Sequence, residues 1–336
     1  MRRFSTAATA TLIGVLAAVA ACGGDDGETL TIYSGRSQSL VQPLLEQFSE
    51  DTGVTIKVRY GETAQLAATI LEEGDNSPAD VFFAQDAGAL GALADEGRLA
   101  ELPADLLALV PEPFRSPDGL WVGASGRARV VAYNTENVSP EGLPDSILDF
   151  TDPEWKGRIG WAPTNGSFQA FVTGLRVTAG EETAREWLEG IEANDPTEYA
   201  NNVAAVEAVA RGEVDVAFVN HYYLFRFLAE EGGSFDARNY YLPGGDPGAL
   251  VNVAGAAVLD TADSSEDAER FIDYLLSPAA QQYFADETFE YPLIEGVETD
   301  PELKPLSELE PPNIDLSDLS DLEGTLDLLR ETGVLP

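Results

Sequence analysis

A single cysteine, Cys22, and a single histidine, His221, are all that the chain offers of the softer metal-binding side chains. One cysteine cannot form an intrachain disulfide, and one histidine cannot supply a zinc-type cluster. Positive charge is also scarce: 19 lysines and arginines face 59 aspartates and glutamates, a formal charge of −40. A surface so acidic repels phosphate backbones and anionic membranes, and no basic stripe with interleaved aromatics interrupts it, which excludes nucleic acid as a partner. Nucleophile elbow, Walker loop and dinucleotide fingerprint are all missing, which argues against an enzyme. Beyond the amino-terminal segment there is no second long apolar run, no internal repeat and no coiled-coil heptad.

What is present begins with Met1-Arg2-Arg3, an apolar stretch from Ala7 to Ala21, and then Cys22-Gly23-Gly24-Asp25-Asp26-Gly27. This is the layout of a secretory signal, and the stretch is short for a membrane span. Val19-Ala20-Ala21-Cys22 further resembles a bacterial lipobox. Residues 1–21 are therefore expected to be a lipoprotein signal peptide, Cys22 the lipidated first residue of the mature chain, and 22–28 a flexible linker. The mature protein would be exported and anchored to the outer face of the cytoplasmic membrane, touching it only through that lipid. Losing Arg2 and Arg3 makes the chain more acidic still; scattered surface carboxylates read as a solvated surface and not as a metal site.

The remaining chain is long enough for two lobes with substantial cores. Strands are expected at 30–34, 54–60 and 79–84, alternating with helices at 38–51, 63–73 and 87–96, an order that implies a wound parallel sheet. Trp121 to Tyr133 and Leu250 to Leu259 read as two long extended segments bracketing a second set of α/β units. That set holds Ile159–Ala162, helices at 168–179, 181–194 and 203–211, and a strand ending at Asn220. Helices at 265–276 and 278–284 follow, then polar, proline-rich sequence and a last helix near 322–332. The expected architecture is α/β with two lobes, each a mostly parallel sheet flanked by helices, joined by two crossover strands that form a hinge. The lobes are placed at 29–127 with 253–300, and at 128–252 with 301–336.

The most informative feature is the pair Tyr222-Tyr223, which follows the strand-like Val214 to Asn220 and opens a helix stopped by Gly232-Gly233. Two adjacent phenols at such a turn can present two hard anionic oxygens to one cation, which points to ferric iron. The turn lies at the carboxyl edge of a sheet, where ligands bind, with Asn220 as a potential cap and the helix's positive end favouring phenolate. Two half-buried aromatics with no ligand would look the same in sequence. His221 should point about 100° from Tyr222 if helical, and could ligate or merely fasten the turn. Asp80 and Asp86 stand where loops often use aspartate as a helix cap.

At the level of ordered motifs the chain resembles the bacterial ferric-ion-binding proteins, the solute-binding components of iron ABC importers with a class II periplasmic-binding-protein fold. The matching pieces are Thr31-Ile32-Tyr33-Ser34-Gly35-Arg36, Ser77-Pro78-Ala79-Asp80-Val81-Phe82-Phe83, Ser125 to Asn134, and Trp155-Lys156-Gly157-Arg158-Ile159-Gly160. Later come Asn220-His221-Tyr222-Tyr223, Asp246 to Leu250 and Glu290-Tyr291-Pro292-Leu293. The resemblance implies that Tyr222 and Tyr223 are iron ligands. It does not carry over further ligands: where some members have histidine after the first strand this chain has Arg36-Ser37-Gln38, and where some have glutamate it has Gln85. A tyrosine that some relatives place in the loop 163–167 corresponds to Asn165.

Two phenolates offset only two of the three charges on Fe(III), so a small synergistic anion, carbonate or phosphate, is expected to complete the site. The anion site is assigned to Asn165, Gly166 and Ser167, where free N–H groups at a helix start can hold an anion, helped by Arg127 and Arg129 on one face of a strand. Arg36, Gln85, Asn202 and Asn220 are weaker candidates for an outer shell, and Tyr33 or Tyr199 for a third phenol. The expected function is capture of Fe(III) between lobes by a monomer that delivers it to an ABC permease. The rival is a binder of the same fold for phosphate, phosphonate, sulfate, thiamine or a similar solute. More distant is a hydrolase using Asp80 or Asp86 with His221.

Overall fold

The computed structural model describes residues 29–336. The leader, the linker 22–28 and the lipidation site Cys22 lie outside the described residues. Among the described residues nine strands form one sheet: β1 (Leu30–Ser34), β2 (Ile56–Tyr60), β3 (Val81–Ala84), β4 (Val122–Asn134), β5 (Ile159–Trp161), β6 (Thr197–Glu198), β7 (Val216–Asn220), β8 (Ala237–Tyr240) and β9 (Val251–Val258). The spatial order is β2-β1-β3-β9-β4-β7-β5-β6, with β8 also on β4. Parallel pairs form where βαβ order demands them, β2 and β3 on β1 and β6 and β7 on β5. The antiparallel pairs all involve the crossover strands β4 and β9.

Strand β4 belongs to both halves. Its residues 122–128 pair with β9, and from Arg129 onward it pairs with β7. Every β4 residue is buried, which small side chains permit. Gly123 and Gly255 face each other in register, and a Cβ on Gly123 would meet the Phe114 carbonyl at 2.7 Å. Beyond this crossing the period of two sorts side chains cleanly. Val131, Tyr133, Val216 and Phe218 enter one core; Val130, Ala132, Ala217 and Val219 enter the core on the opposite face.

Helices α1 (Gln38–Thr52), α2 (Thr63–Glu73), α3 (Ala87–Asp95) and the short α4 (Ala104–Leu107) contribute to the core of the first half, as do α9 (Ser265–Leu275) and α10 (Pro278–Tyr283). In the second half α5 (Gly166–Ala179) and α6 (Glu181–Ala193) cover one face, and α7 (Asn202–Ala210) and α8 (Tyr222–Glu231) the other. In the carboxyl-terminal stretch Leu303, Leu316 and Leu319 pack into the first core, while Leu328 and Leu329 of α11 (Leu322–Glu331) pack into the second. Strands β6 and β8 escape the sequence reading, one because it is two residues long and the other because Ala237–Tyr240 carries no clean alternation. Among the described residues no helix is long and apolar enough to cross a membrane.

Candidate metal centre

Strand β7 ends at Asn220 and α8 begins at Tyr222, with only His221 between them. The cap is His221, in helical geometry, and not Asn220, as the sequence suggested. Asn220 is the last strand residue, and its side-chain oxygen is turned to Arg129 Nη1, from which it accepts at 3.1 Å, instead of to the helix. His221 is fully buried and is clamped from both sides. Its N–H donates to the Ala128 carbonyl at 3.0 Å, and Nδ1 accepts from the Ala128 N–H at 3.1 Å. Since Nδ1 accepts, Nε2 carries the proton and donates to the Phe289 carbonyl at 2.9 Å. Burial pushes the imidazole down to about 4, so the ring is neutral. With both nitrogens engaged, His221 fastens the turn and is no metal ligand.

The turn delivers two phenol rings to one place. The centroids of Tyr222 and Tyr223 lie 4.2 Å apart and their planes are inclined by 33°. Tyr222 is 5% exposed and Tyr223 is half-buried. Burial first, and then the neighbouring Tyr223, hold the Tyr222 hydroxyl well above the ordinary phenol value; Arg127 pulls it only partly back. Without a metal the Tyr222 hydroxyl is therefore a phenol, as an ordinary tyrosine already is near neutral pH, and burial holds its proton more firmly. A metal ion bound at this oxygen would have to displace that proton. Among the described residues no group of three or more His, Cys, Asp or Glu side chains is placed to hold a metal ion.

Two buried guanidinium groups, those of Arg127 and Arg129, are close enough for their charge to act on this pair, and a third, Arg36, joins Arg127 through Gln85. Arg129 is buried, donates to Asn220 and, at 2.8 Å, to the Phe218 carbonyl, and lies 5.0 Å above the Phe171 ring. Burial lowers it to about 9, with the charges of Tyr223 and Tyr222 acting the other way. Its hydrogen bonds are thus spent on bracing the carboxyl end of β7. Arg127 donates to the Gln85 carbonyl, and its buried Nε has no partner among the described residues. Arg36, 1% exposed, makes a two-pronged contact with Glu290 at 2.9 and 2.8 Å and reaches the Gln85 side chain at 3.0 Å. Glu290 also accepts from Ser125 Oγ at 2.6 Å. Burial alone would raise the Glu290 carboxyl, but Arg36, Arg127 and the Ser125 hydroxyl together hold it below the usual carboxylate value. The sequence reading quoted Glu290 inside a motif without giving it a role; the signal was one carboxylate in the apolar run Phe289-Glu290-Tyr291-Pro292-Leu293.

The loop before α5 forms a separate polar knot. Asn165 caps the helix, accepting from the Ser167 N–H at 3.0 Å and from Ser167 Oγ at 2.6 Å. Asn202, at the start of α7, donates to Asn165 Oδ1 at 3.2 Å and to Ser167 Oγ at 2.9 Å, and its own buried Oδ1 is left without a partner among the described residues. A Cβ built on Gly166 would meet nothing within 4 Å, so the space beside that residue is open.

The remaining candidates have structural duties. Asp80 accepts from the N–H groups of Thr31, Asp263 and Ser264, and Asp86 caps α3 through the Ala89 N–H. With His221 also committed, these aspartates do not form the acid–base set of a hydrolase. The Tyr33 hydroxyl donates to Glu73 at 3.0 Å and receives from Arg59, which removes it as a third phenol. The Tyr199 ring packs against Gly160.

A family model described as bacterial extracellular solute-binding protein matches residues 76–316. The chain is 36% identical over 312 residues, 91% of its own length and 93% of the relative's, to the major ferric iron-binding protein of Neisseria meningitidis serogroup B. Its fold matches iron-bound HitA from Pseudomonas aeruginosa with a TM-score of 0.84 and 39% identity, covering 91% of this chain and 99% of that one. The match to Trichodesmium IdiA (FutA) in complex with iron and citrate has a TM-score of 0.80 and 30% identity, covering 91% and 99%.

Proposed function

Because the chain belongs to the ferric-ion-binding family of bacterial extracellular solute-binding proteins, we propose that it captures Fe(III) as cargo and hands it to an ABC permease. The observation that carries this reading is the convergence of the Tyr222 and Tyr223 rings at the carboxyl end of β7. Each phenol gives its proton up to the ion, and the two phenolates leave one positive charge and most of an octahedral sphere to be filled. Buried guanidinium groups make the surroundings hospitable to an anion, and the unpartnered Arg127 Nε is a donor in waiting. A small oxyanion such as carbonate or phosphate, held by Arg127 and by the open side of the α5 amino terminus at Asn165, Gly166 and Ser167, would supply the missing charge. Arg129, engaged with Asn220 and the Phe218 carbonyl, acts through charge more than through contact.

The two halves joined by β4 and β9 act as closing lobes, 29–127 with 253–300 against 128–252 with 301–336, and iron favours the closed form because both sides of the site contribute to it. The protein works as an exported monomer, lipid-anchored through Cys22, and as a binder in place of an enzyme. The orphan guanidinium nitrogens would also suit a carrier of oxyanions alone. The paired phenols speak for iron, since an oxyanion gains nothing from two hard donors that must lose protons. Dialysis against citrate after loading separates the two: the iron reading predicts one iron retained per chain, and loss of all iron with retention of phosphate would overturn it. The double variant Asn165→Ala, Ser167→Ala should leave the phenol ligands in place and chiefly change which anion supports retention. Equal retention by parent and variant in carbonate, phosphate and citrate would mean the anion is held elsewhere.

A further inference from the structure

The tyrosine pair is anchored by a segment far away in sequence. After α10 the chain makes a π-helical turn, Phe284–Thr288, and then Phe289 adopts φ +56° and ψ +23°. A bulky side chain in the left-handed region is held there by its surroundings and marks a place where backbone direction matters. Three consecutive residues then reach three different partners. The Phe289 carbonyl accepts from His221 Nε2, the Glu290 carboxylate binds Arg36 and Ser125, and the Tyr291 backbone pairs with Gly126 in both directions at 2.8 and 2.9 Å. The Tyr291 ring stacks on His221 with centroids 4.5 Å apart, and Phe289 stacks on Phe225 of α8 at 6.2 Å.

We propose that Phe289-Glu290-Tyr291 is a positioning strap that acts through His221 to fix the direction in which Tyr222 and Tyr223 present their hydroxyls, and that ties this direction to the Arg36–Gln85 side of the site. The inference rests on the reading of the two tyrosines as iron ligands. His221 itself touches no cargo. It is the residue immediately before the pair, and its ring is gripped above by the Phe289 carbonyl and below by the Ala128 N–H. Leu224 and Phe225 seat α8 in the cores and Asn239 holds the His221 carbonyl at 2.8 Å, while the ring of His221, directly before the pair, is fixed by the strap and sets the final direction of the two hydroxyls. Glu290 transmits the same constraint to Arg36, because one peptide unit separates its carboxylate anchor from the Phe289 carbonyl.

The test uses the full chain loaded with Fe(III) in bicarbonate buffer, comparing parent, His221→Asn, Phe289→Gly and Tyr223→Phe. Asparagine places an oxygen where Nδ1 was, so the Ala128 contact survives and the Phe289 contact is lost. Glycine keeps the carbonyl but releases the constrained backbone. Both variants should shift the tyrosinate visible band and speed iron removal by excess EDTA, His221→Asn by about tenfold, the factor expected for one buried hydrogen bond. Tyr223→Phe should weaken and shift the band, since a single tyrosinate remains, and should release iron far faster than either strap variant. Parent-like band and removal rate in both strap variants would overturn the strap while leaving the ligand reading intact. Faster removal that merely tracks a lowered melting temperature, with the band unmoved, would also overturn it. A Tyr223→Phe protein with the parent band would sink the ligand reading, and the strap with it.

Discussion

Replacing Tyr223 by phenylalanine is expected to lower iron retention by about a thousandfold or more, beyond the 10- to 100-fold typical of losing an outer-shell partner of a metal site. The change removes one anionic oxygen from a set that contains two, and nothing adjacent can substitute: His221 is committed on both nitrogens, and the nearest carboxylate in the network, Glu290, is held by Arg36 and Ser125. Tyr222→Phe should behave alike. The fold should scarcely notice, because each ring stays in place; losing a hydroxyl contact costs about 0.5–1.5 kcal/mol. Competition titrations against a ferric chelator, run beside urea melts, check both halves of this expectation. Unchanged affinity in either variant would rule that tyrosine out as a ligand.

The second large effect concerns stability and not binding. Glu290→Ala leaves the Arg36 guanidinium, 1% exposed, without its counter-ion, and should destabilise the fold by about 3–5 kcal/mol, the range for breaking one side of a buried ion pair. Adding Arg36→Met should recover much of that loss, since the orphaned charge goes with its partner. The pH dependence follows from the depressed Glu290 carboxyl. A carboxyl lower in the folded than in the unfolded chain contributes stability that is complete above the unfolded value, about 4.3, and is lost as pH falls through the folded value. Urea melts between neutral and acid pH should therefore converge for parent and Glu290→Ala at the acid end. A constant gap across that range would contradict the ion-pair account.

The strand and helix order was largely readable because each element carries its own period. Leu44, Leu45 and Phe48 of α1 mark one helical face, and Val216 to Val219 alternate between two cores as a strand with both faces covered must. The tyrosine pair was readable because adjacent phenols at a strand-to-helix turn are a local pattern. What escaped was everything set by distant contacts. Nothing local says that Asn220 is taken by Arg129, that His221 is held by a carbonyl 68 residues later, or that Arg36 is neutralised by Glu290, 254 residues away. The firmness with which Tyr222 holds its proton escaped for the same reason, because desolvation is a property of the assembled site.

The most direct measurement is a visible-absorption titration of the purified protein with ferric salt in bicarbonate buffer. Paired tyrosinates bound to Fe(III) predict a broad coloured band that grows to saturation at one iron per chain and vanishes in the Tyr222→Phe, Tyr223→Phe double variant. Protein that stays colourless in excess ferric ion, or whose colour survives the double variant, would contradict it.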